Sequence, residues 1–478
     1  MKKFIALFIA LLNILLVCGC SSDSNSAIIY YGVKTPPVTV DPQLASSVTE
    51  LTIVKNIFEG LVREDANGEI VPAAASYTKN GNTYTFKISE NAYWSNGDKV
   101  TADDFLFGLT RALDPITKSP DASSLFSIKN AKEFNSGAKT SPSISAPDEN
   151  TLIIELNYDD QNFLSVLTTS VAMPCQRDFF AKSFGKYGMS QDTVLSNGSF
   201  KLTKWVTESF AMRLHRNNKY GGNHVASVAA IFLSDNKEET TLKRLSDRHI
   251  DIGEIENNEI KTATENGFNF VNMPNTVWLL KIGSGYSEAL KNSLARSVVA
   301  YSTSSPALPD GFTSANNLYP EFFNDNQTLD IYDINYSKQT FANEIVKFSN
   351  SVLPTSTIYY CNSGNSSELV KLLVGHWQQN LGAYINIEGL SSSAAVKAKE
   401  NEHSITVYSE QINSANAIKY AAFFGLNNTS NLKNNVINGN IFPIAYSGTV
   451  IAYTNELQNI VTDSSINIID FAFADKKH

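Results

Sequence analysis

Apolar positions change their spacing along the chain, and that spacing predicts the elements. Ala27-Ile28-Ile29-Tyr30-Tyr31 is a continuous apolar run, the pattern of a buried first strand. Pro36-Pro37-Val38-Thr39-Val40-Asp41-Pro42 stays extended after it, because a proline holds its predecessor out of the helical region. Leu51, Val54, Ile57, Phe58 and Leu61, three or four apart, then form one face of a helix capped by Ser47 or Thr49. Asp65-Ala66-Asn67-Gly68-Glu69 and Asn80-Gly81-Asn82 are turns, and Tyr84, Phe86 and Ile88 alternate on one strand face. Asn96-Gly97 turns the chain again. Thr101 caps the next helix, with Asp103 and Asp104 in its first turn, where negative charge suits the helix dipole; Pro115 ends it.

Beyond this point the pattern is mixed α and β without a fixed repeat. Strands are predicted at residues 151–156, 200–204, 211–215, 229–233, 269–271, 277–282, 356–360, 384–388 and 404–408. Helices are predicted at 162–169, 238–246, 287–300, 338–349 and 366–380, with 302–330 as a loop rich in Pro, Gly, Ser and Asn. The final strand-like segments, 441–446, 450–453 and 466–473, are placed to return to an earlier sheet.

The first 20 residues follow different rules. Met1-Lys2-Lys3 precedes an apolar run from Phe4 to Val17, the layout of a secretory signal and too short for a comfortable membrane span. It ends in Val17-Cys18-Gly19-Cys20 followed by a Ser-rich stretch, which resembles a bacterial lipoprotein signal with Cys20 as the lipidated mature N-terminus. The expected product is a body tethered outside the cytoplasmic membrane, there or in the periplasm or outer membrane, held to lipid by the anchor alone.

Composition narrows the chemistry. With 478 residues, 42% of them hydrophobic, the chain can bury a large core in several lobes. Its formal charge is −9, and loss of Lys2 and Lys3 leaves 36 bases against 47 acids, or −11, which disfavours nucleic acid as a partner. Cys175 and Cys361 remain after Cys18 and Cys20 are set aside; two separate buried thiols are expected, a bridge being the alternative. Six scattered His offer no metal-site spacing, so neither a metal nor a cofactor is expected. Asp103-Asp104 and Asp159-Asp160 point apart and cannot work together as catalytic carboxylates. No Gly-x-Ser-x-Gly elbow occurs, and no enzyme is expected.

Several motifs stand in a fixed order: Val40-Asp41-Pro42, Phe58-Glu59-Gly60-Leu61, Tyr84-Thr85-Phe86, Trp94-Ser95-Asn96-Gly97 and Val100-Thr101-Ala102-Asp103-Asp104-Phe105. Asn197-Gly198-Ser199-Phe200-Lys201-Leu202, Arg216-Asn217-Asn218-Lys219-Tyr220 and Ile250-Asp251-Ile252 follow, then Trp377 through Ile387 and Ile441-Phe442-Pro443-Ile444-Ala445-Tyr446. The ordered set resembles the extracytoplasmic solute-binding proteins of ABC importers, specifically the dipeptide and oligopeptide-binding family. The resemblance implies an α/β, two-lobed periplasmic-binding-protein fold of type II, with the extra N-terminal-lobe domain and lobes joined by crossing strands. It divides the chain into a signal (1–19), a tether (20–26), a lobe 1 core (27–60, 190–275 and 455–478), an extra domain (61–189) and a shortened lobe 2 (276–454). A ligand would lie in the cleft and be enclosed by hinge closure.

Matching to the family's cleft-lining segments makes Asn257, Trp278, Tyr408, Glu410, Gln411 and Ser414 the candidate ligand-binding residues. Three family anchors are missing: Tyr408 stands for an Arg, Gln411 for a Trp and Ser414 for the Asp that pairs with a peptide's α-ammonium, unless Glu410 replaces it from a shifted register. Ser304-Ser305 likewise replace an Asp-Arg pair. The expected function is a monomeric, lipid-anchored protein that captures a short peptide or similar small solute and delivers it to an ABC importer permease. The alternative is a diverged surface lipoprotein of the same fold, acting as an adhesin or antigenic scaffold without a transported ligand.

Overall fold

The computed structural model describes residues 27–477 apart from 66, 208–209, 223–227, 236–237, 257–258, 305–307, 310, 316–333, 355–356, 363–364, 412–419, 422, 427–431, 439 and 464–467. Among them, no helix is long and apolar enough to cross a membrane.

The apolar first strand, Ile28–Gly32, lies between two parallel neighbours, Ala230–Ser234 and Ile252–Ile255. An antiparallel edge, Ala211–Arg216 and Phe200–Val206, extends that side. Helix Val48–Ile57 covers one face; Ser47 caps it, and Glu50 reaches back to the Ser46 and Ser47 amides and on to those of Val38 and Thr39. Burial works to raise the Glu50 pKa, but these four N–H donors together hold it below the usual range. One carboxylate thereby fixes the proline-rich linker against the helix it feeds.

A separate four-stranded antiparallel sheet, Ala75–Asn80, Thr83–Ile88, Thr151–Glu155 and Ile144–Asp148, packs under helix Ala102–Leu113. Asp104 accepts from the Thr101 amide at 2.8 Å and from the Trp94 indole at 3.0 Å, so one residue joins the helix start to the turn before it. At the helix's other end, Arg111 forms a forked contact with Asp41 and donates to Gln43 Oε1 at 2.6 Å. Its guanidinium lies over the Phe180 and Tyr187 rings. The Asp of the Val-Asp-Pro motif is thus the clamp between linker and added domain. Gly188 lies against that clamp at φ +73°, where a Cβ would come within 2.3 Å of the Asp41 amide nitrogen.

The sheet continues into the second lobe through two long antiparallel strands, Asn269–Ile282 and Ile441–Tyr453. Their far halves join Ile405–Gln411 and Phe312–Ser314, and Thr357–Cys361 and Asn386–Leu390 complete the second lobe's edge. Each lobe has its own core. One gathers residues from Ala27 to Ala474 and includes the added domain; another runs from Val277 to Tyr446 around the fully buried Trp377.

Several sequence expectations shift. The pairs 269–271 with 277–282 and 441–446 with 450–453 are each a single strand. The strand predicted at 384–388 is Asn386–Leu390, leaving Tyr384 exposed. The loop expected from 302 carries the end of helix Glu288–Ser304 and the strand Phe312–Ser314.

Cys175 and Cys361 are both free and buried. Burial pushes the Cys175 thiol up to about 12, against the pull of Arg111. A thiol reagent at pH 8 is therefore expected to leave Cys175 unmodified in the folded chain and to modify it once denaturant unfolds lobe 1. Labelling of the native protein at Cys175, read by mass spectrometry, would contradict this.

Candidate functional site

Strand direction locates the site. In lobe 1, Ile28–Gly32, Ala230–Ser234 and Ile252–Ile255 run parallel, and all end toward lobe 2. The reason is that Ile252–Ile255 pairs antiparallel with Tyr453 to Val450, on the strand that comes from lobe 2. In lobe 2, Thr357–Cys361, Asn386–Leu390 and Ile405–Gln411 are parallel to one another and run opposite to the crossing strand Asn269–Ile282, so they end toward lobe 1. Two sets of carboxyl strand ends therefore face each other, the arrangement in which open α/β sheets bind ligands.

Among the described residues, only a narrow ribbon lies between the two sets. On one strand it spans the stretch after Asn272, the last position level with lobe 1, to Thr276, where Gln411 of lobe 2 begins to pair. On the other it is Gly448 and Thr449, between the partners of Ile255 and Phe312. The register shifts between Pro274 and Thr276. A proline lacks the ladder donor and a bulge bends the strand, so this is where the two-stranded hinge is weakest.

On the lobe 1 rim, Lys34 Nζ lies 2.8 Å from Glu254 Oε1 and 2.7 Å from Glu256 Oε1. Burial works to lower the Lys34 pKa, but the two carboxylates together raise it. Sequence reasoning missed all three. The signal was present in the period-two spacing of Glu254 and Glu256 at a strand end, but Lys34 lies about 220 residues away.

In lobe 2, Tyr408 and Glu410 share a face with Val277 and Leu279, by register. Lys397, ending helix Ser393–Lys397, lies 5.0 Å from the Tyr408 ring centroid and forms an ion pair with Glu410. Burial, then Glu400 and Glu410, drive the Tyr408 hydroxyl above its ordinary pKa. Trp278 is on the opposite face, paired with Ser409 and Ala445. It is 3% exposed, edge-on to Phe312, and its Nε1 donates to Ser447 Oγ at 2.8 Å. It joins the two crossing strands at the lobe 2 end of the hinge. The structure thus brings Tyr408 and Glu410 together and places Trp278 apart from them. Gln411 ends its strand opposite Thr276. Asn257, Ser414 and Cys20 lie outside the described residues. Among those described, no group of three or more His, Cys, Asp or Glu side chains is placed to hold a metal.

Two lobes, opposed strand ends and a two-stranded hinge define a hinged binding protein. The chain matches the bacterial extracellular solute-binding proteins, family 5 (Middle), over residues 39–432, and it belongs to that family. It is 25% identical over 394 residues to the oligopeptide-binding protein OppA of Bacillus subtilis (strain 168), covering 77% of this chain and 72% of that protein. It is 30% identical over 248 residues to the dipeptide-binding protein DppE of the same organism, but covers only 44% of DppE and 51% of this chain. Among solved structures, the murein tripeptide binding protein MppA of Escherichia coli superposes with a TM-score of 0.70 at 20% identity, covering 95% of this chain and 99% of that one. Listeria monocytogenes OppA bound to peptide gives 0.67 at 19% identity, with 95% and 100% covered. At such identities these likenesses establish the fold.

Proposed function

We propose that this chain captures a short peptide or similar small solute in the cleft between its lobes and delivers it to the permease of an ABC importer. The observation that carries the reading is the pair of opposed strand-end sets on a two-stranded hinge. A solute touching both sets stabilises the closed form over the open one by its differential contacts, which is all that closure requires. The relatives named for oligopeptide and dipeptide binding support peptide as the solute class. Cys20 is the lipid attachment point in this reading, and the chain works as a monomer. Glu410 does not replace the family's missing Asp, since Lys397 already neutralises it; the polar contacts come from the strand ends.

Thermal unfolding with pooled tri- to pentapeptides tests the reading. A ligand at about 100 times its Kd is expected to stabilise the chain by about 2.7 kcal/mol and raise Tm accordingly. No shift with any pool at millimolar concentration would refute it.

A further inference from the structure

On an acidic chain, one sheet face of lobe 1 is basic. Across Ile28–Gly32, Ala230–Ser234, Ala211–Arg216 and Phe200–Val206 the pleat turns Ile29, Ile231, Leu214 and Leu202 into the core. On the reverse side the register aligns Tyr30, Phe232, Arg213 and Lys204 in one row, and Ile28, Ala230, His215 and Lys201 in the next. Tyr30 is 44% exposed and Lys204 is exposed, while Phe232, Arg213 and Lys201 are half-buried. The Tyr30 and Phe232 ring centroids are 5.5 Å apart, and the Arg213 guanidinium lies 4.1 Å from the Phe232 centroid. Among the described residues Lys201, Lys204 and Arg213 make no ion pair, and Arg213 Nε has no hydrogen-bond partner. Asp251, the acid beside Tyr30, already holds Lys476 at 2.8 Å. Burial, and then the charges of Arg213 and Lys201, lower the pKa of the neighbouring His215, so the cations act on one another's surroundings without an acid between them.

The chain enters the fold at the corner of this face. Ala27 precedes the first strand, and its carbonyl accepts from the Ala229 amide at 2.9 Å. From Cys20 to Ala27 a fully extended chain reaches at most about 25 Å. Lys201 stands in the same row as Ile28, three strands away, or about 14 Å at the usual strand spacing. An anchor at Cys20 therefore keeps these cations close to the bilayer, at a high effective concentration. With the leader removed, 36 bases stand against 47 acids, so an anionic surface repels the body as a whole. The leash holds the body near, and the basic face decides which side turns inward. Lysine and arginine are drawn to anionic headgroups, and aromatic rings settle at the interface beside them.

We propose that this face of lobe 1 lies on an anionic lipid bilayer, with Lys201, Lys204 and Arg213 over the headgroups and Tyr30 and Phe232 at the interface. This rests on the reading of Cys20 as the lipid attachment point, and it adds a second contact to an anchor expected to act alone. A sheet lying on its face has its strands parallel to the surface. The lobe 1 strand ends then open sideways, and lobe 2 closes on them alongside the membrane.

The mature chain from Cys20 onward, coupled through that thiol to a maleimide lipid in vesicles, tests it, since Cys175 and Cys361 are buried. Lysines are acylated with a neutral reagent on vesicles of phosphatidylglycerol and of phosphatidylcholine, and each site is read by mass spectrometry. On phosphatidylglycerol Lys201 and Lys204 are expected to react roughly fivefold more slowly than on phosphatidylcholine. The exposed Lys132 and Lys139 of the added domain should react equally on both. The difference should vanish at about 1 M salt, where charges are screened within a few ångströms. Lys204→Glu, an exposed position that the fold tolerates, is expected to cut the protection of Lys201 by at least half. Equal rates on the two vesicles, or protection that survives salt or Lys204→Glu, would overturn the inference and leave the anchor standing. Mass spectrometry of the exported protein reads the anchor separately, and a Cys20 without lipid would overturn both.

Discussion

Replacing Arg111 by alanine is expected to destabilise lobe 1 by about 3–5 kcal/mol, the cost of leaving one partner of a buried ion pair alone. The side chains of Arg111 and Asp41 are 8% and 2% exposed, so water does not screen the stranded carboxylate. Gln43 Oε1 would lose its donor as well, and Phe180 and Tyr187 the cation over their rings. Arg111→Lys keeps the charge but not the fork and should fall between the two. The double variant Asp41→Ala/Arg111→Ala should cost clearly less than the two single changes added together, since no lone charge remains. Denaturant unfolding of the native chain, the two single alanine variants, Arg111→Lys and the double variant reads this directly. A loss below about 1 kcal/mol for Arg111→Ala would mean that the clamp contributes little.

The second large effect is expected in the other lobe. Trp377 is fully buried, and its Nε1 donates to the Leu294 carbonyl at 3.1 Å. Truncation to alanine removes a large aromatic and leaves that carbonyl without the donor, a loss of about 3–5 kcal/mol. The lobes have separate cores, so scanning calorimetry is expected to resolve two transitions. Trp377→Ala should lower only the lobe 2 transition, and Arg111→Ala only that of lobe 1. A single cooperative peak that moves as a whole in both variants would contradict this independence.

Much of lobe 1 was legible in the sequence because its motifs are local. Ser47, Thr101, Asn96-Gly97 and the stripe from Leu51 to Ile57 act within a few residues of themselves, and the structure places them as caps, a turn and a buried face, whereas Phe58 and Leu61, expected on the same helix face, lie past the helix end. The hinge was legible only as an interruption. Asn272-Met273-Pro274-Asn275 and Ser447-Gly448-Thr449 break the apolar alternation, so each crossing strand reads as two, although backbone pairing carries it through. The break in pattern marks the place where the ribbon passes between cores and has no apolar face to bury.

The candidate site was legible in part. Tyr408 and Glu410 were named from the sequence, and the register sets them on one face, as period two implies. Trp278 was grouped with them by family position, but its register places it on the reverse side, bonded to Ser447. Glu254 and Glu256 gave only their period-two spacing and Lys34 no local signal, since their setting arises only when strands far apart in sequence come to lie side by side.

The crossing strands also order events during folding. Ile441–Tyr453 lies between Ile252–Ile255 and Asn269–Ile282, and Ile468–Asp470 packs on helix Val48–Ile57, with Asn56 bonded to the Ile469 carbonyl and the Phe471 amide. Lobe 1 therefore closes with residues that are synthesised after the whole of lobe 2. Contacts of such long sequence separation form slowly. A nascent chain has the start of lobe 1 but not its seal until Ile468–Asp470 has been made.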